Sequence, residues 1–163
     1  MQKTKNIMTS FIDKLWQMAY IAAYRIMLCI WYIFKLQSRG ACVAVWHDNR
    51  VVLIKNSYKP HYSLPGGNVE KGELPLDAAL RELAEEVGIR VNKKQLGFIG
   101  DFENPLEYKK DVISLFELKL EEKPVLKVDN REVIWAGLKT PQEAVDMGVF
   151  PVLRPYFIGK FKY

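Results

Sequence analysis

Three carboxylates, Glu82, Glu85 and Glu86, fall within five residues of the stretch GGNVEKGELPLDAALRELAEEVGI, residues 66–89. Like charges this close repel. On a helix turning about 100° per residue, the three share one side, while Leu76, Leu80, Leu83 and Val87 gather on a separate arc. One face is therefore core and the other a carboxylate cluster. Arg81 stands four residues before Glu85 and can pair with it across one turn. Two chemistries fit this pattern: a solvated acidic face, or a hard oxygen cage for Mg²⁺ or Mn²⁺. The residue types alone leave both open.

The elements that must position these groups are legible in outline. Pro75 suits the first turn of a helix running to about Val87, and Gly88 suits its end. Leu74 stands where a Ser or Thr would cap that helix, a lapse worth about 1 kcal/mol. Upstream, GACVAVWHDNRVVLIKN holds two β-rich runs, 41–47 and 51–55, around Asp48-Asn49, a hairpin signal. HYSLPGG forms a loop that enters the carboxylate stretch. Strands are expected near 89–101, 111–120 and 131–137, with a terminal helix or two after Thr140. Strands and helices mixed without a regular βαβ rhythm imply an α+β fold or a layered α/β/α sandwich.

The spacing carries further information. Gly67, Glu73, Arg81, Glu82, Leu83, Glu85, Glu86, Gly88 and Ile89 fill every fixed position of a pattern that resembles the Nudix hydrolase signature. Nine constraints over 23 residues make a chance match improbable. The flanking strand pattern also resembles the family from about residue 38 to the end. The resemblance implies a Nudix-type α/β/α sandwich with a mixed sheet, and metal-dependent hydrolysis of a nucleoside diphosphate linked to another group. It further implies Glu82, Glu85, Glu86 and the Gly66 carbonyl as ligands to Mg²⁺ or Mn²⁺. By the same resemblance Arg81 orients the cluster through Glu85, Glu73 locks the loop to the helix, and Gly67 and Gly88 are structural. The general base is Glu82 through a metal-bound water, or a glutamate from a later loop, Glu122 or Glu132. Glu132 is favoured, because NREVIW resembles the family's stretch before its last strand.

Substrate choice lies outside the signature. The loop NSYKPHY offers Tyr58, Lys59, His61 and Tyr62 as a base-stacking and phosphate-binding rim. Tyr62 stands where many relatives carry Trp. Pro105 lies where a marker of ADP-ribose hydrolases falls, and Tyr108 near the place of a tyrosine of dinucleoside polyphosphate hydrolases. ADP-ribose-like substrates lead, with ordinary or oxidised nucleoside triphosphates second. The alternatives from other classes are a Nudix-fold module that senses a nucleotide without cleaving it, and a membrane-surface adaptor acting through the N-terminal helix. Such modules usually lose signature carboxylates, and here all are kept.

Residues 10–36 read as one long helix. Phe11, Leu15, Met18, Ala22, Ile26, Cys29, Ile33 and Leu36 form an apolar stripe, opposite Asp13, Lys14, Gln17, Tyr24, Arg25, Tyr32 and Lys35. Arg25 splits its uncharged runs below the roughly 20 residues of a spanning helix. The stripe fits an interfacial membrane helix, packing on the domain itself, or a homodimer. A cleaved signal peptide is disfavoured, since no small-residue cleavage site follows the apolar run.

Residues 1–40 hold six basic side chains against Asp13 alone, and the remaining 123 residues balance at eighteen of each sign. The net charge of +5 thus belongs to the first segment and gives no ground for a nucleic-acid partner of the main domain. Two units are expected, a helix over 1–37 and a hydrolase domain over 38–163. The chemistry all lies in the second, so hydrolysis is expected not to need the helix. Cys29 and Cys42 lack metal or disulfide-framework spacing, which suits packing roles in a reducing, cytoplasmic setting, with membrane contact peripheral.

Overall fold

The computed structural model describes residues 10–35, 37–106 and 110–161. Leu36 and Tyr108 lie outside the described residues. The first helix, α1 (Phe11–Phe34), begins at a capping box between Ser10 and Asp13 and ends at Lys35 in the left-handed conformation. The hairpin follows as β1 (Gln37–His47) and β2 (Arg50–Asn56). Asp48 and Asn49 both have positive φ, at 46° and 56°, the demand of a two-residue type I′ turn.

After β2 come β3 (Gly66–Asn68), α2 (Pro75–Val87), β4 (Gly97–Asn104), β5 (Lys110–Lys119), β6 (Val133–Lys139), α3 (Pro141–Asp146) and α4 (Arg154–Gly159). The strand expected from residue 89 starts only at Gly97. Asn92 and Gln95 form a capping box on a short 3₁₀ turn, which takes the chain out of extended geometry first.

The sheet runs in the order β4-β5-β1-β2-β6, with β3 also on β1. The β1–β5 pair is parallel, and all other pairs are antiparallel. Both faces are covered, so β1 and β2 read as nearly continuous apolar runs rather than alternating ones. Val43, Val45, Val52 and Ile54 meet Ala79, Leu83 and Val87 of α2 on one side. Ala44, Val51 and Leu53 meet Ala144, Leu153 and Phe157 of the C-terminal helices on the other. The result is the expected α/β/α sandwich with a mixed sheet.

One irregularity in the sheet builds the site. β1 and β2 pair at Trp46–Val51 and His47–Arg50, next to the turn, and separate beyond it. Residues 63–69 fill the gap. Ser63 exchanges backbone bonds with Ile54 at 2.8 and 3.0 Å, and the Val43 N–H donates to the Pro65 carbonyl at 2.9 Å. β3 then lies along Gly40–Cys42, and α2 follows it directly.

Leu74 supplies no side-chain cap to α2 and is exposed. Leu74→Asp should satisfy a free N–H and complement the helix dipole, raising stability by about 1 kcal/mol. Activity should not change. A thermal melt with no gain would show that Pro75 and packing already set this end.

The C-terminal helix is tied by charge as well as by Phe157. Glu117 on β5 accepts from the Tyr156 hydroxyl at 2.7 Å and from Lys160 Nζ at 2.8 Å, and the Trp46 indole N–H donates to Tyr156 at 2.8 Å. Burial pushes the Glu117 carboxyl up, but the bonds from Lys160 and Tyr156 outweigh it and leave it below its ordinary value. A depressed carboxyl contributes stability above its unfolded pKa of about 4.3 and loses it as pH falls through the lower folded value. The melting temperature should therefore fall on acidification below about pH 4. Glu117→Gln should lower it at neutral pH and flatten that acid limb; an identical acid limb in the variant would remove Glu117 from the account.

Candidate active site

α2 carries its signature residues to the loop that wedges between β1 and β2. Arg81 is the hub. Its guanidinium donates to Glu73 at 3.0 and 3.1 Å, to Glu82 at 2.7 Å and to the Asn68 carbonyl at 3.0 Å. Glu73 also accepts from the Glu70 N–H at 2.9 Å. One side chain thus ties β3, the following turn and α2 together. The expected partner, Glu85, is the weakest of these contacts at 3.4 Å, and 62% of its side chain is exposed. Fixed acceptors on the neighbouring loop hold the planar guanidinium better than a mobile carboxylate on its own helix.

Glu82 faces a cavity of about 510 Å³, which Gly66, Gly67 and Arg81 also line. A Cβ on Gly67 would overlap the Glu82 carboxylate, so any side chain there would displace that carboxylate from its place against the loop. Gly88 serves the other end of α2, closing it at φ 75°. Glu86 is buried behind the loop, accepting from the Gly66 N–H at 2.7 Å and from Asn56 Nδ2 at 3.3 Å. Burial pushes the Glu86 carboxyl up to about 8, with Glu82 and Glu132 adding to the push. Burial likewise raises Glu82 against the pull of Arg81.

Among the described residues no three His, Cys, Asp or Glu groups converge into a closed cage. Arg81 bridges Glu82 and Glu85, and Glu86 turns onto Gly66. The donor set nevertheless fits a divalent cation. Two hard-oxygen carboxylates, one turn apart and driven toward protonation by burial and mutual repulsion, are stabilised as anions by such an ion.

Of the two later glutamates, the structure brings Glu132 to the cavity wall, whereas Glu122 is exposed on the connection from β5 to β6. Glu132 accepts from the Tyr58 hydroxyl at 2.9 Å. Its own N–H donates to Asp129, and its carbonyl accepts from Ser57. Lys59 and His61 line the same cavity.

Tyr62 departs from the expected rim. In the extended segment His61 and Ser63 point to the cavity, so period-two alternation turns Tyr62 away. It packs edge-on against Trp135, with ring centroids 5.5 Å apart.

Tyr58 is no free stacking surface either. Tyr20 of α1 stacks on its ring at 5.9 Å, and Tyr24 packs beside it at 5.2 Å. Burial above all, then Glu132, drives its hydroxyl pKa far up, so Tyr58 stays a donor. Tyr24 itself lines the cavity. The first helix is therefore part of the cavity wall, although no residue assigned to the chemistry lies on it. Asn56, the buried partner of Glu86, was also missed; its signal was a lone amide ending the apolar run VVLIKN. Pro105 is exposed, between cavity-lining Asn104 and Leu106.

Comparison with known proteins agrees with this geometry. The family profile described as NUDIX domain matches residues 36–152. An ADP-ribose pyrophosphatase of Methanocaldococcus jannaschii is 41% identical over 61 residues, 36% of this chain and 35% of that one. Diphosphoinositol polyphosphate phosphohydrolase 2 of Rattus norvegicus is 38% identical over 73 residues, 44% of this chain and 39% of that one. The chain thus spans well under half the length of these curated relatives. The crystal structure of a MutT protein from Methanosarcina mazei Go1 superposes with a TM-score of 0.66 at 20% identity, covering 77% of this chain and 94% of that one. With the profile covering most of the sequence and the same fold recurring in that structure, the chain belongs to the NUDIX domain family.

Proposed function

We infer that the protein is a divalent-metal-dependent hydrolase that cleaves the pyrophosphate bond of a nucleoside diphosphate linked to another moiety. The observation that supports this best is the seating of Glu82 against Gly67 at the cavity wall, held by Arg81 beside buried Glu86. That arrangement concentrates anionic oxygens where a phosphate must enter, which is unfavourable unless a cation joins them. Bound Mg²⁺ or Mn²⁺ would neutralise the pyrophosphate and ease deprotonation of the attacking water. Glu82, Glu85, Glu86 and the Gly66 carbonyl are the groups assigned to hold it, with Glu85 the one that must swing inward.

The remaining steps fall to the chain's own residues. Arg81 fixes Glu82 and the β3 loop, so the phosphate-facing backbone does not shift during reaction. Glu132 accepts the proton of the attacking water, and the Tyr58 hydroxyl holds its carboxylate in place. Lys59 and His61 lie where they can meet phosphate oxygens.

An ADP-ribose-like substrate is favoured, on the cavity's size, the aromatic edge that Tyr24 adds to its wall, and the position of Pro105. Ordinary or oxidised nucleoside triphosphates are the second reading. Assay of the purified chain against a panel of nucleoside diphosphate derivatives and triphosphates, with Mg²⁺ and with Mn²⁺, tests both. Turnover of ADP-ribose above the triphosphates supports the first ordering. Binding of nucleotide with no phosphate product under either metal would replace the enzyme with a sensing module.

A further inference from the structure

α1 docks on the rest of the protein with the face that its hydropathy assigned to water. On this side Asp13, Gln17, Tyr20, Ile21, Tyr24 and Leu28 are partly buried and Trp31 is buried; Ile30, at the edge of the outer strip, is partly buried as well. Asp13 pairs with Arg131 at 3.1 Å, and Gln17 Nε2 donates to the Asn130 carbonyl at 2.7 Å. The opposite arc, Phe11, Ile12, Leu15, Met18, Ala19, Ala22, Ile26, Cys29 and Ile33, is exposed and carries no charge. Phe11, Met18, Ile26 and Ile33 are each more than 60% exposed. At 1.5 Å per residue this is a strip about 36 Å long, far more apolar surface in one line than a soluble chain leaves open.

We propose that this outward strip beds in an anionic lipid surface, with the cavity walled by the inner side of the same helix. Charge selects the occupant. Lys14 and Arg25 are exposed along one rim of the strip, and Lys35 closes the helix. The only acid on α1, Asp13, is committed to Arg131. These cations meet anionic headgroups, and Tyr32 beside them, 65% exposed, sits at the depth where amphipathic rings settle, while Trp16 on the far flank, 48% exposed, keeps one face on Arg131.

A second copy fits less well. An antiparallel two-fold pairing through the strip would set the Lys14 and Arg25 rims of both copies together with no acid to offset them. α1 is also long and apolar enough to cross a bilayer. Crossing would part Asp13 and Gln17 from their partners and draw Arg25 into hydrocarbon, whereas lying flat keeps both bonds and leaves Arg25 at the headgroups.

The test uses the full chain. Co-sedimentation is measured with vesicles of equal parts phosphatidylcholine and phosphatidylglycerol, and of phosphatidylcholine alone, at low and high salt, with solution mass by sedimentation equilibrium. Binding is expected on the anionic vesicles only, weakening with salt. Lys14→Gln and Arg25→Gln should each lower the partition coefficient about fivefold at low salt. Leu15→Glu and Ile26→Glu lie on the strip away from every docking contact. Each should cut binding at least about tenfold while leaving hydrolysis and a monomeric mass unchanged. The proposal is overturned by a wild-type chain that ignores anionic vesicles, or by glutamate variants that bind as well as the parent. A dimer that falls to monomer in those variants replaces the membrane with a second copy. Bound protein that resists alkaline carbonate extraction marks a spanning helix instead.

Discussion

Glu86→Gln is expected to lower kcat/KM by more than about a hundredfold and to leave the protein folded. Loss of a group that merely supports a metal ligand costs 10–100-fold, so loss of a ligand's charge should exceed that range. The fold should hold, because the amide can still accept from the Gly66 N–H, and Asn56 can turn its own amide to match. Removing a buried charge should, if anything, raise the melting temperature in the presence of a chelator. Titration of the metal-free protein with Mn²⁺ gives a readout independent of turnover, and affinity should fall in step with activity. Parental turnover together with parental Mn²⁺ affinity would take Glu86 out of the ligand set.

Glu132→Gln should lower kcat by about 10²–10⁴ with little change in KM, the size of effect removal of a general base produces. The same change at Glu122 should stay within about twofold, since that side chain is exposed and outside the cavity wall. Tyr58→Phe separates positioning from proton transfer. It removes the 2.9 Å bond to Glu132 but no titrating group, so its loss should be smaller than that of Glu132→Gln. Near-normal rates in both glutamate variants would return the role to Glu82.

What the sequence by itself determined is what its local periodicities and spacings encode. The signature is compact, and its helix needs only the 3.6-residue period, Pro75 and Gly88 to be read at its observed limits. Asp48-Asn49 likewise announces its own turn. The irregular mixing of strands and helices left an α+β fold or a layered sandwich open, and the resemblance carried by the signature implied the sandwich.

Tertiary structure alone decided which partner each face meets. Arg81 chose Glu73 and the Asn68 carbonyl over Glu85, because a planar fork is held best by acceptors that a neighbouring loop has already fixed. Tyr62 turned from the cavity because the segment pairs as a strand and its register sends alternate side chains to opposite sides. For α1, periodicity showed two faces but not which of them docks. Its partners, Asn130 and Arg131, lie more than a hundred residues away, and their hydrogen bonds and ring contacts hold the polar face inward. A hydropathy pattern records what water disfavours at each position. It does not record the bonds available from distant chain, and those bonds turned the apolar stripe of α1 outward.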